Sequence, residues 1–194
     1  MTWTHRGKAI PLEVYHGVPK GWYAGDIVAE HARLGGKYDI GGPEATEPGA
    51  PSFMPERKAW LQYRETLYRV ADGVSANDSA CIELAIRYIE LRHIGSYSGF
   101  VRQLMSRRLK HVNLSPQQQM RLHQHFSNLV LGGEHTEEYR DYFKLWRLFI
   151  TEKQKMELLR DVAPKGEKAV QWLAAKLQPN KSLQPTSSLT RRRV

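Results

Sequence analysis

Six residues carry most of the chemistry that this chain could direct at an anion. Arg102, Arg107, Arg108, Lys110, His111 and Arg121 all fall in residues 102–121, a stretch with no aspartate or glutamate. Guanidinium and ammonium groups gathered without acids neutralise phosphates and release the counterions those phosphates hold. The stretch therefore reads as a surface for nucleic acid or another polyanion. Arg108 stands apart within it, because it lies four residues after Leu104 and seven after Val101, on the apolar side of the helix expected here. An arginine in that place can run its stem out to solvent. It can also pair with an acid of a neighbouring helix, such as Glu83 or Glu90, or line a groove for an anion.

The other chemically capable residues offer less. His123 and His125 are two apart, so a helix turns them to nearly opposite sides and they cannot share an ion. No His-Glu-x-x-His pattern occurs. In Glu134-His135-Thr136-Glu137-Glu138, a threonine cap and acids at the positive end of a helix dipole account for the pattern without a cation. Cys81 is the single cysteine, which excludes an internal disulfide and a cysteine-rich zinc centre. Its helical neighbours Leu84, Ala85 and Tyr88 make it a buried thiol. Gly35-Gly36 and Gly41-Gly42 lack the spacing of a phosphate-cradling loop. Tyr139, Tyr142, Phe143 and Trp146 alternate with Arg140, Lys144 and Arg147. Such interleaving can stack and neutralise a single strand, but the helical spacing of the rings favours a core. We expect no catalytic group, no metal and no cofactor.

The elements that must position these residues are helices. From Pro55 onward, apolar residues recur at helical spacing: Trp60, Tyr63, Leu67, Val70, Ala71 and Val74 first. Asn77-Asp78-Ser79 is a cap cluster for a largely buried helix, Cys81 to Leu91, that Gly95 ends. A third helix, about 97–112, has Tyr97, Phe100, Val101, Leu104, Met105, Leu109 and Val112 on its face. Ser115-Pro116-Gln117-Gln118 and Thr151-Glu152-Lys153-Gln154 are capping boxes for two more. Further helices are expected from Thr136 to Ile150, where Gly132-Gly133 marks the preceding stop, and over about 167–177. The expected fold class is mainly α, a six- or seven-helix bundle or stacked helical hairpins. Residues 1–54, rich in glycine and proline, read as an irregular arm with short strands such as Ile10–Tyr15 and Asp26–Ala29. Residues 55–177 form the expected helical domain, and 178–194 a disordered basic tail.

The net charge of +9 is unevenly distributed. Residues 1–54 carry five basic and six acidic groups, residues 55–180 carry 20 and 14, and the rest adds Lys181, Arg191, Arg192 and Arg193 with no acid. A field of this kind attracts polyanions and says nothing of fold. No stretch approaches the roughly 18 uncharged apolar residues of a membrane span. The N-terminus also lacks a signal-peptide core, so a cytoplasmic setting is expected.

Two short resemblances add to this. Asn180-Lys181-Ser182-Leu183-Gln184-Pro185-Thr186 resembles the translated end of a reading frame that runs into an integron attachment site. The resemblance implies a gene cassette, a class whose cargo includes resistance, toxin–antitoxin and phage-defence proteins. Val14-Tyr15-His16-Gly17, followed by Gly25-Asp26, resembles the start of some ADP-ribosyltransferases, where such a histidine holds the dinucleotide ribose. The later strands of that family, with their aromatic and acidic residues, have no counterpart here. The expected function is that of a basic helical binding protein for nucleic acid or nucleoprotein. A protein–protein adaptor or toxin–antitoxin component comes next, and a small ribosyltransferase last.

Overall fold

The computed structural model describes residues 2–5, 8–11, 17–41, 55–95, 97–133 and 138–178. Expectations for the Tyr15-His16 motif, the loop before Pro55, the acids of 134–137 and the tail from 179 lie outside these residues. The chain divides into two compact units, Met1–Ile150 and Thr151–Val194. The break falls at the Thr151 capping box.

The first unit opens with an antiparallel hairpin of β1 (Thr2–His5) and β2 (Lys8–Pro11), with Trp3 opposite Ile10, and is otherwise mainly helical. Among the described residues its helices are α1 (Ala24–Arg33), α2 (Pro55–Ser75), α3 (Ser79–Leu91), α4 (Ser98–Leu109), α5 (Pro116–Leu131) and α6 (Tyr139–Trp146). Helix α1 corrects the sequence reading, which places an irregular arm and a strand at Asp26–Ala29. Ile27 and His31, four apart, are buried on the side of α1 that packs on α2 and α3. Asp26 accepts from the backbone N–H of Tyr23 at 3.1 Å, closing the first turn. So short an apolar stripe, set among glycines, has too little periodic signal to register in sequence.

Helix α3 is the centre of the core. Cys81, Ala85, Ile86 and Ile89 have no exposed surface, which a run apolar around most of its circumference requires. Asp78 caps it, accepting from the Cys81 N–H at 2.8 Å. The helix stops at Arg92 (φ 55°, left-handed) rather than at Gly95. Beyond that stop, the His93 ring bonds the distant Gly17 carbonyl at 3.0 Å, and its own carbonyl accepts from Arg102.

Gly73 of α2 allows α3 to approach. A Cβ there would lie 2.3 Å from the Cys81 Sγ and 3.0 Å from the Tyr38 ring. The sulfur has no room to retreat, because Cys81 is wholly buried. Gly73→Ala should therefore cost about 1–3 kcal/mol by overpacking, despite alanine's better helix propensity. Chemical denaturation would read this as a lower midpoint.

Helix α4 packs on α2, α3 and α6. Its buried face is Ser98, Val101, Arg102, Met105, Ser106 and Leu109. That stripe has helical spacing, but it is rotated from the one drawn through the apolar residues: Tyr97 and Phe100 are each 52% exposed. Helix α5 opens with the Ser115–Gln118 box, in which Gln118 N–H donates to Ser115 Oγ at 3.3 Å and Ser115 N–H to Gln118 Oε1 at 3.0 Å. The rings of α6 are core, as their spacing predicts: Tyr142 stacks on Phe126 with centroids 4.8 Å apart, and Trp146 donates to His123 Nδ1 at 3.0 Å.

The second unit is a helical hairpin. Helix α7 (Glu152–Val162) leads through a 3₁₀ turn, Ala163–Lys165, into α8 (Glu167–Leu177). The two helices pack together, with Leu158, Val162, Leu173 and Leu177 buried. None of the described helices is long and apolar enough to cross a membrane.

Candidate polyanion interface

The six basic residues singled out in sequence do not share one surface role. Tertiary packing supplies the acids that residues 102–121 lack.

Arg102 is buried, 8% exposed. Its Nη2 donates to Glu138 Oε1 at 2.6 Å and its Nη1 to the His93 carbonyl at 2.5 Å. This corrects its place in the expected surface, since a charge so enclosed and paired cannot meet an external phosphate. Burial here is offset by Tyr142, Glu138 and Tyr88, which hold the guanidinium in its charged form. Beside it, the Tyr63 hydroxyl donates to Tyr88 at 2.9 Å.

Arg121 is also withdrawn. It holds Glu90 with two bonds, 3.0 and 2.5 Å, and Glu83 at 2.8 Å. Glu83 and Glu90 are the partners that the sequence suggests for Arg108. Arg108 instead meets Asp72 of α2 at 2.5 Å, with a quarter of its side chain exposed. Arg87 continues the Arg121 network, bonding Glu83 at 2.8 Å and Glu30 of α1 at 2.6 Å. Glu30, also gripped by Arg33 at 2.6 Å, has its carboxyl held down to about 2 by these two guanidiniums, Arg33 first. An open recess of about 440 Å³ beside it, lined by Trp22, Asp26, Arg33 and Arg87 among others, thus presents charges that are largely paired internally.

Arg107 and Lys110 remain, at the C-terminal end of α4, and α6 adds two cations beside them. Arg107 Nε lies 3.1 Å from Asp141 Oδ2, and Lys144 Nζ lies 4.0 Å from Asp141 Oδ1. Arg147 donates through Nε to the Phe143 carbonyl at 3.1 Å. Burial, then repulsion from Lys144, Arg107 and Arg147, pulls Lys110 below its ordinary pKa against the opposing pull of Asp141. Three cations, Arg107, Lys110 and Lys144, thus gather near one buried carboxylate, with Arg147 close to Lys110. Such a cluster, with Arg107 exposed, suits phosphate oxygens. His111 is exposed next to Lys110 in the chain.

Lys144 and Arg147 are visible in sequence, interleaved with the α6 aromatics. The spacing shows that the rings are core. It does not show that the intervening cations meet the end of α4. Sequence also gives no sign that His31, Asp78 and Cys81 come together, as they do between α1 and the start of α3. No protein-family model matches this chain, and no curated protein or solved structure is significantly similar to it, so the reading of its surface rests on geometry.

Proposed function

We propose that the protein is a basic helical binding protein whose contact with nucleic acid, or with the nucleic acid of a nucleoprotein, is made by Arg107, Lys110, Lys144 and Arg147. One observation carries this reading: Arg107, Lys110 and Lys144 gather around a single buried carboxylate, Asp141, with Arg147 close to Lys110. The arginines elsewhere in the acid-free stretch are engaged in internal pairs. Like charges repel, so holding four together costs free energy that a bound polyanion would return. The cassette setting implied by the tail, including a phage-defence role, belongs to the same proposal.

Lys110→Glu with Lys144→Glu tests it. Binding to short single- and double-stranded DNA and RNA, followed by anisotropy across a salt series, should weaken at least tenfold. For every phosphate that the variant no longer neutralises, the logarithmic salt slope should flatten by about 0.7–0.9. Unchanged affinity and slope would sink this assignment. The melting temperature should change little, because each substitution ends repulsion with the neighbouring arginines but places a new carboxylate near Asp141.

An adaptor role has its own support. Ile94, Tyr97 and Phe100, at the start of α4, are 56%, 52% and 52% exposed. Tyr97 lies against Trp60 and over the Arg64 guanidinium. Apolar surface of this kind is a common protein contact. Loss of a co-purifying protein on Phe100→Asp, with polyanion binding intact, would favour that role.

A further inference from the structure

We propose that His31, Asp78 and Cys81 form a binding site for a divalent transition ion of the zinc class. The three residues each offer one donor atom, an imidazole nitrogen, a carboxylate oxygen and a sulfur, and the three atoms lie within 4.8 Å of one another. This mixture of borderline and soft donors with one hard oxygen suits zinc and its neighbours rather than magnesium or calcium. His31 and Cys81 are 5% and 0% exposed, and the Asp78 side chain is 7% exposed. His31 comes from the last turn of α1, while Asp78 and Cys81 are the cap and third residue of α3.

Capping α3 needs only the Asp78 carboxylate. It does not call for a histidine or a thiol at the same place. The His31 Nε2 to Asp78 Oδ1 distance is 3.1 Å. That is an ordinary N–H···O hydrogen-bond length. It is close to the edge of a tetrahedron with metal–ligand bonds of about 2.0 Å, which is about 3.3 Å. The other oxygen, Oδ2, accepts from the backbone N–H groups of Lys37 and Tyr38 at 2.6 and 3.0 Å. Hydrogen bonds of this kind aim a carboxylate ligand. Two glycines make room for the donors. A Cβ at Gly36 would lie 2.1 Å from His31 Nε2, and one at Gly73 would lie 2.3 Å from Cys81 Sγ. On binding, the Cys81 thiol gives its proton to solvent and the thiolate sulfur donates to the ion. Neutral His31 donates its Nε2 lone pair and keeps its proton on Nδ1. A water would complete four-coordination.

The test uses the untagged full chain, reduced, stripped with a chelator and desalted, with cobalt(II) as the visible probe. The expected result is a sulfur-to-cobalt charge-transfer band with intense tetrahedral visible bands. They should saturate at one equivalent and be erased by zinc(II). Cys81→Ser should abolish the charge-transfer band, and His31→Gln should weaken binding at least about tenfold. Should either variant fail to fold, the wild type still decides, because zinc(II) must raise its melting temperature in proportion to ln(1 + [Zn]/Kd). Absence of a saturating band and of a zinc-dependent melting shift would overturn the site. So would a folded Cys81→Ser chain that binds zinc as tightly as wild type. The three residues would then be a helix cap alone.

Discussion

Arg102→Met should lower the stability of the first unit by about 3–5 kcal/mol, the usual cost of stranding a buried charge. The carboxylate that loses its guanidinium is Glu138, 6% exposed, whose Oε1 accepts from Arg102 at 2.6 Å. Methionine fills much of the space but donates nothing, so the carboxylate must stay ionised in a low-dielectric site or take up a proton. The His93 carbonyl is deprived of its donor as well. For a unit of this size the melting temperature should fall by roughly 10 °C or more. Pairing the change with Glu138→Leu should recover most of the stability, because well-packed apolar residues replace a buried ion pair at little or no cost. The two substitutions should therefore be strongly non-additive in a double-mutant cycle. A change under about 1 kcal/mol for Arg102→Met alone is the behaviour of a surface pair, and would show that this arginine is not enclosed.

Asp78→Ala should cost about 3 kcal/mol, with a melting temperature roughly 6–12 °C lower. Removing a helix cap accounts for about 1–2 kcal/mol. The rest comes from the N–H groups of Lys37 and Tyr38, each costing about 1 kcal/mol when it has no acceptor. The substitution also frees the segment after α1 from the start of α3. Asp78→Asn should be milder, since its carbonyl oxygen still caps.

The same carboxylate sets a pH dependence. Burial would raise its pKa, but the N–H groups of Lys37, Cys81 and Tyr38 outweigh burial and hold it well below the usual carboxylate range. The unfolded state therefore binds the proton more readily than the native state. The stabilisation is present above the unfolded value near 4 and is lost as pH falls through the depressed native value. His93 acts in the same direction from higher pH. Burial, with Arg102 nearby, lowers its pKa against the pull of the Gly17 carbonyl, so its stabilisation is lost as pH falls below about 6.5. Urea midpoints measured with chelator should fall first below about pH 6.5, then more steeply below about pH 4. Asp78→Asn should flatten only the second step.

The helices from Pro55 onward are encoded locally. Capping boxes at Ser115 and Thr151, the cap at Asp78 and the apolar period of Trp60 to Val74 are signals carried within one or two turns. Cys81 as a buried thiol and the α6 aromatics as core are legible for the same reason, because their own helix neighbours are apolar. Helix α1 is not, since its stability depends on the cores of α2 and α3 rather than on a pattern of its own. Which cations are withdrawn into ion pairs depends on packing between helices. Arg102 looks like a surface base until Glu138, 36 residues later, lies beside it, and Arg121 until α3 offers Glu83 and Glu90. Electrostatic pairing acts through space across any separation along the chain. An acid-free stretch of sequence therefore does not ensure an acid-free surface. The cations gathered around Asp141 come from two helices whose meeting no local pattern encodes.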